Sequence, residues 1–376
     1  MRIGIVTLCL HANYGGILQA YALAEVLRRM GHDAVQLQPY PYYRLLHSPL
    51  AMPLAMPLML CKRAYRRYLG GEADLPIFSY PTALIRRNTT RVIRQHIPMK
   101  YVKEAEWDAA LAAGFDAIVV GSDQVWRPEY AQPLNRHFAD FAAGSSARIV
   151  SYAASFGTDK PTISAEKADE LAPLVRRYAA VSVREASAVD ICRRLFGVEA
   201  THVVDPTMLL NRADYEALAA KAPLSPGNLM TYVLDESPAT EAFIARLAQA
   251  KGLSPFRSNS RHEDWTAPIS QRRQPPVENW LRGFCDAKLV VTDSFHACVF
   301  SILFNVPFIC IGNATRGMSR FHSLLEMFGL TDRLVDIANI DQVHEVAAKP
   351  IDWRAVNAAV EGRRRMAMQF LAEALA

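Results

Sequence analysis

The chain has no pair of cysteines at the spacing of a metal-ligand set or a redox couple. Its six cysteines, Cys9, Cys61, Cys192, Cys285, Cys298 and Cys310, are scattered, several of them inside apolar runs, which suits reduced thiols packed in a core. Neither zinc nor a disulfide framework is implied, and no metal is expected. A Gly-x-Gly-x-x-Gly fingerprint is missing too, so no dinucleotide cofactor is implied. The N-terminus, MRIGIVTLCL, starts directly as a strand without the order of charged, apolar and small residues that marks an export signal. The expected location is therefore the cytoplasm. The most apolar oddity, SPLAMPLAMPLMLCKRAYRRY at 48–68, is broken by Pro49, Pro53 and Pro57, and its apolar part falls short of the roughly 20 residues a bilayer requires.

What is present begins with charge. A net charge of +5 over 376 residues is mild, but residues 1–103 hold fourteen Lys or Arg against Glu25, Asp33, Glu72 and Asp74, a local excess of +10. That segment attracts anions. The basic excess lacks the interleaved stacking aromatics of a nucleic-acid module, so no nucleic-acid partner is expected. Lys62, Arg63, Arg66 and Arg67 directly follow the apolar stretch, a pattern that fits peripheral contact of 48–68 with the inner face of an anionic membrane; a helical insertion with a solvated basic side is the competing account.

Apolar strands alternate with amphipathic helices along the chain. RIGIVTL (2–8), DAVQLQP (33–39), DAIVVGS (116–122), RIVSYAAS (148–155), AVSVRE (180–185) and HVVDP (202–206) read as strands, with helices at 14–30, 164–177 and 186–196 between them. KAPLSPGN (221–228) interrupts the pattern as a linker. A second set follows: LMTYVLD (229–235), helices near 239–251 and 277–285, KLVVTDS (288–294), a helix from about 296, PFICIG (307–312) and a helix from about 317. Such spacing indicates parallel βαβ units. The expected fold class is α/β, two Rossmann-like domains facing a central cleft. Residues 1–222 form the first, with a mainly helical insertion at about 40–110, and 223–352 the second. A terminal helix, 353–376, crosses back to the first.

In open parallel sheets ligands bind outside the carboxyl ends of the strands, which directs attention to four turns. In LHANYGGILQAYAL (10–23), His11 and Asn13 precede Gly15 and Gly16, where backbone can approach a ligand at a helix start; a tight turn capped by Asn13 is the bland account. In VVGSDQVW (119–126), Ser122, Asp123, Gln124 and Trp126 offer the planar polar groups and aromatic face that a sugar requires, or else a capped helix and a core Trp. In SVREASAV (182–189), Arg184 ends an apolar strand beside Glu185 and can fork to a carboxylate or phosphate or form a structural pair. In VVTDSFHACVFS (290–301), a cap by Asp293 or Ser294 would leave the first N–H groups of the next helix as an anion site, with His296 beside it as a proton carrier. Arg316 and Arg320 flank one more strand-to-helix turn in the same half.

With these turns in view, the sequence resembles the polysaccharide pyruvyl transferase family through LHANYGGILQAYAL, VVGSDQVW, SYAASFG, SVREASAV, VVDPTMLL, VVTDSFHACVFSILFNVPFI and RGMSRFHSLLEMFGL. The resemblance covers most of the chain except 40–110 and implies a GT-B-like fold. It implies transfer of the enolpyruvyl unit of phosphoenolpyruvate onto two hydroxyls of one sugar in a surface or capsular polysaccharide precursor, free or lipid-linked, with a pyruvate ketal formed and phosphate released. Arg184, Ser294, Phe295, His296, Arg316 and Arg320 would then face the donor, and His11, Asn13, Gly15, Gly16, Ser122, Asp123, Gln124 and Trp126 the acceptor. His296 is expected as the acid, and Asp123, or else His11, as the catalytic group that positions or deprotonates the acceptor; no cofactor is needed. Many members carry Arg-Leu-His where this chain has Ser294-Phe295-His296, so the histidine is kept and a donor-holding arginine is absent. The competing readings are a GT-B glycosyltransferase using a nucleotide sugar and a noncatalytic glycan- or phosphate-binding relative.

Overall fold

The computed structural model describes residues 1–40, 57, 84–262, 264, 267–312, 317–336 and 345–376. Apart from Pro57, the 48–68 segment lies outside these, as does Arg316.

Two parallel sheets organise the described residues. The first, seven-stranded and ordered β3-β2-β1-β4-β5-β6-β7, comprises β1 (Arg2–Val6), β2 (Asp33–Pro39), β3 (Met99–Val102), β4 (Ala117–Asp123), β5 (Arg148–Ala154), β6 (Ala180–Val183) and β7 (Thr201–His202). The second, ordered β12-β11-β10-β8-β9, comprises β8 (Leu229–Tyr232), β9 (Pro255–Arg257), β10 (Leu289–Thr292), β11 (Phe308–Ile311) and β12 (Leu334–Val335). Central strands buried on both faces require nearly unbroken apolar runs, and AIVVGSD of β4 is buried at every position. β1 lies between β2 and β4, Ile5 facing Gln36 of β2 and Val119 of β4. Among the described residues the α-helices of eight residues or more are α1 (Tyr14–Arg29), α2 (Arg87–His96), α3 (Ala165–Val175), α4 (Ala186–Phe196), α5 (Arg212–Ala219), α6 (Pro238–Lys251), α7 (Val277–Asp286), α8 (Phe295–Phe304), α9 (Ser319–Met327) and α10 (Trp353–Leu375). None is long and apolar enough to cross a membrane.

Two expectations change. β3 lies inside the stretch read as a mainly helical insertion and pairs with β2, so residues 99–102 belong to the first sheet. HVVDP does not continue as a strand to 206: Pro206 has no N–H to give a ladder, and the Asp205 carboxylate accepts from Thr207 N–H to start a 3-10 turn.

One apolar cluster runs through both halves, from Ile3 and Ile5 to Met230 and Val290. Every residue of α8 is buried, as expected of a helix that is apolar all round. Its Phe300 meets Tyr215 of α5 edge-on at 4.8 Å, and Tyr14 meets Trp280 of α7 at 5.4 Å. Tyr14 Oη also donates to Pro275 O, at 2.8 Å. α10 returns to the first half, where Arg364 donates to the carbonyls of Met208 and Leu210 and Arg148 donates to Ala374 O. The aromatic contacts and the Tyr14 hydrogen bond join the two halves.

Candidate active site

At that joint the first sheet delivers Asp123 from the end of β4, Ser155 after β5, Arg184 and Glu185 after β6, and Asp205 after β7. The second delivers Ser294, Phe295 and His296 at the start of α8 and Arg320 in α9. All are buried. A buried guanidinium is costly unless its N–H groups meet acceptors, and Arg184 donates to Asp205 Oδ2 at 2.9 Å and to Asp123 Oδ1 at 3.2 Å. Asp205 is held in turn by Thr207, whose N–H and hydroxyl donate to Oδ1 at 3.0 and 2.8 Å. From the other half, His296 Nε2 lies 3.5 Å from Asp205 Oδ2, long for a hydrogen bond and close enough for charge to act. The guanidinium carbons of Arg184 and Arg320 lie 4.6 and 5.7 Å from the Phe295 ring centroid, within cation–π range.

Burial alone would raise the pKa of both aspartates. For Asp205 the charge of His296, Arg184 and the Thr207 N–H outweigh it and hold the carboxyl well below its ordinary value; for Asp123 the charges of Arg184, His296 and Arg320 do the same. Glu185 goes the other way. Burial raises it against the opposing pull of Arg184 and of the Ser155 hydroxyl, which donates to Oε1. Arg320 is lowered to about 10, first by burial and then by repulsion from Arg184. A pocket that lowers an arginine's pKa gains when an anion enters.

Two backbone approaches build the joint. A Cβ on Gly15 would fall 2.1 Å from His296 Nδ1, so the imidazole lies directly on the first turn of α1. Asp123 adopts φ 73°, and the preceding Gly121, at φ 126°, would put a Cβ 2.1 Å from Tyr152 O; only glycine fits this turn, which swings the Asp123 carboxylate off the end of β4.

The expected donor residues Arg184, Ser294, Phe295, His296 and Arg320 come together here. The expected acceptor residues divide. Asn13 caps α1 by accepting from Gly16 N–H at 3.2 Å, and Gly16 lies beside Asp123, its added Cβ 3.7 Å from Oδ2. His11 is half-buried, its Nδ1 accepting from Ala12 N–H. Gln124 Oε1 accepts from Arg127. Ser122 and Trp126 are turned inward: the Ser122 hydroxyl donates to Ala153 O at 3.0 Å. Trp126 is fully buried, stacked on Phe138 at 5.3 Å with Nε1 donating to His137 O. No face of that indole is open to a sugar. The expected cap of α8 is also absent, because the Asp293 carboxylate accepts instead from Leu234 and Asp235 N–H, at 2.7 and 2.9 Å, and the Ser294 side chain makes no cap bond. Asp205 was missed as a site residue. Its signal was the one that singled out Arg184, a charged side chain at the carboxyl end of an apolar strand.

A model of the polysaccharide pyruvyl transferase family matches residues 13–315. The chain belongs to that family. Among curated proteins none matches the chain. Solved structures similar to this chain include UDP-GlcNAc 2-epimerase from Neisseria meningitidis, bound to UDP-GlcNAc, at TM-score 0.50 and 9% identity over 99% of this chain and 100% of the other. A glycosyltransferase from Rickettsia africae aligns at 0.47 and 8% identity, over 100% and 95%. An O-GlcNAc transferase mutant from Thermobaculum terrenum aligns at 0.46 and 13%, with 99% of this chain spanning 66% of the other. The likeness to the epimerase is one of fold, a two-domain Rossmann-like, GT-B-like architecture.

Proposed function

We propose that the enzyme transfers the enolpyruvyl unit of phosphoenolpyruvate to two hydroxyls of one sugar in a surface-polysaccharide precursor, leaving a cyclic pyruvate ketal and free phosphate. The observation that carries this reading is the buried joint in which Arg184 and Arg320 both lie against Phe295 while His296 meets Asp205. Phosphoenolpyruvate bears a carboxylate and a phosphate close together, and such a donor calls for fixed cations in a site sheltered from water. Where many members have an arginine this chain has Ser294, and among the described residues the guanidiniums of Arg184 and Arg320 lie against Phe295 of that turn.

In this mechanism protonated His296 gives its proton to the methylene carbon, which becomes a methyl group, and the central carbon becomes electrophilic. The first sugar hydroxyl attacks it, and its proton passes to the neutral imidazole. Breaking the bond from the central carbon to the phosphate oxygen lets the second hydroxyl close the ketal, and the second proton leaves with phosphate. Asp205 positions His296 and Arg184. The depressed pKa of Asp123 suits it to accept a hydrogen bond from the sugar, so it orients the acceptor and is a weak base.

The test is phosphate release from phosphoenolpyruvate in the presence of candidate sugars, with the ketal followed by mass spectrometry. His296→Ala is expected to lower the rate by about 10²–10⁴-fold while phosphoenolpyruvate still raises the melting temperature. A thermal shift with nucleotide sugars and none with phosphoenolpyruvate would sink the reading.

A further inference from the structure

A concavity lies on the first half, lined by none of the residues of the Arg184 joint. It encloses about 570 Å³ and is lined by Glu104, Trp107, Gln132, Asn135, Arg136 and Lys167, among others. These residues come from segments just past the carboxyl ends of strands: Glu104 two residues after β3, Gln132 to Arg136 on the connection leaving β4, and Lys167 in the first turn of α3 after β5. In a parallel sheet the connections that carry these residues leave from one edge, the carboxyl edge at which Asp123 ends β4.

We propose that this concavity is a subsite for a further sugar unit of the acceptor glycan, beyond the unit that is modified. The inference rests on the reading of the chain as a transferase acting on a sugar. Its volume lies within the usual range for small-molecule sites. The charges balance, Arg136 and Lys167 against Glu104 and Asp140, which disfavours a strongly anionic ligand. Amides, a carboxylate, an ammonium group and an indole together match hydroxyls that both donate and accept.

The floor is built in advance. The Arg136 side chain is only 8% exposed, its guanidinium 4.4 Å from the Trp107 ring centroid and donating to Glu104, and its buried Nε has no partner. Trp107 is fixed edge-on against Phe141 at 5.1 Å. At the rim, Asn135 Nδ2 and Lys167 Nζ donate to Glu170, which leaves the Asn135 carbonyl oxygen as an acceptor for a ligand hydroxyl. Rigid groups of this kind reduce the ordering cost of binding.

The test is binding of the full chain, without donor, to an array of mono- to tetrasaccharide hexosides and hexosaminides. At least one oligosaccharide should bind tenfold or more tightly than its monosaccharide. That advantage should vanish in Asn135→Ala/Lys167→Ala, whose melting temperature should stay close to the parent's because Glu170 is half-exposed. Equal affinity at every length, an advantage that the double variant retains, or no glycan bound at all would each overturn the subsite. Because no donor is present, a protein that never turns over phosphoenolpyruvate but shows this length preference keeps the subsite and loses the transfer reading. Turnover without length preference does the reverse.

Discussion

The two sheets bring different chemistry to their shared joint. The edge of the first supplies Arg184 already engaged by Asp123 and Asp205, and the acids around that guanidinium outweigh burial and raise its pKa. The edge of the second supplies His296, the Phe295 ring and Arg320, where burial dominates and lowers the arginine to about 10. On the first edge the acids outweigh burial at the guanidinium; on the second burial outweighs them, a cost that an incoming anion would offset. Asp205 joins them, since the same Oδ2 faces Arg184 and His296. Substitutions of Arg184 or of the two aspartates that engage it should therefore cost stability and activity together, whereas His296 should separate them.

Asp205→Asn attacks the joint itself and should have the largest combined effect. Removing one member of a buried ion pair typically costs about 3–5 kcal/mol, and a misplaced His296 should lower turnover on the order of a hundredfold. The sign of the pH dependence follows from the depressed carboxyl. Its stabilisation is fully present above the unfolded value of about 4 and is lost as pH falls toward the folded value. The deficit of the variant, measured by denaturant unfolding, should therefore be largest near neutrality and shrink below pH 4. A constant deficit across that range would break the comparison.

Gly15→Ala tests the same joint from the side of α1. The added methyl has no room beside His296 Nδ1, and overpacking of this kind costs about 1–3 kcal/mol. Turnover should fall at least tenfold, equal to about 1.4 kcal/mol of barrier, because the ring that must move carries the proton. A Gly15→Ala enzyme with unchanged kcat would show that His296 is not held against α1 in solution.

The alternation of strand and helix was legible because buried parallel strands such as AIVVGSD and LVVT must be apolar nearly throughout. β9 was not, since Pro255–Arg257 buries one residue in three and carries no periodicity. β12, with two residues, carries none either. At the site, strand-end position disclosed Asp123, Arg184 and His296, but position alone does not say which way a side chain turns. Trp126 follows Asp123 by three residues and yet packs in the core, because the left-handed turn at Asp123 sends the chain back over the sheet toward Phe138. Asp205 carries the same strand-end signal as Arg184, but its partners, Arg184 and His296, are 21 and 91 residues away in sequence, so the first pairing follows from the packing of neighbouring strands and the second from the packing of the two halves.

The smallest expected effect sharpens the contrast within one strand end. Glu185 adjoins Arg184, yet burial raises its pKa, so its ionised form opposes folding where those of Asp123 and Asp205 favour it. For such a group the cost is absent below the unfolded carboxylate value of about 4, grows as pH rises, and is complete above the folded value. Glu185→Gln keeps the shape and can still accept from the Ser155 hydroxyl, so it should raise the melting temperature slightly at pH 7 and leave it unchanged near pH 4, as read by thermal scans at both. A lower melting temperature at pH 7 would mean that Glu185 acts as a third ionised partner of Arg184, and the first edge would then owe its stability to three carboxylates instead of two.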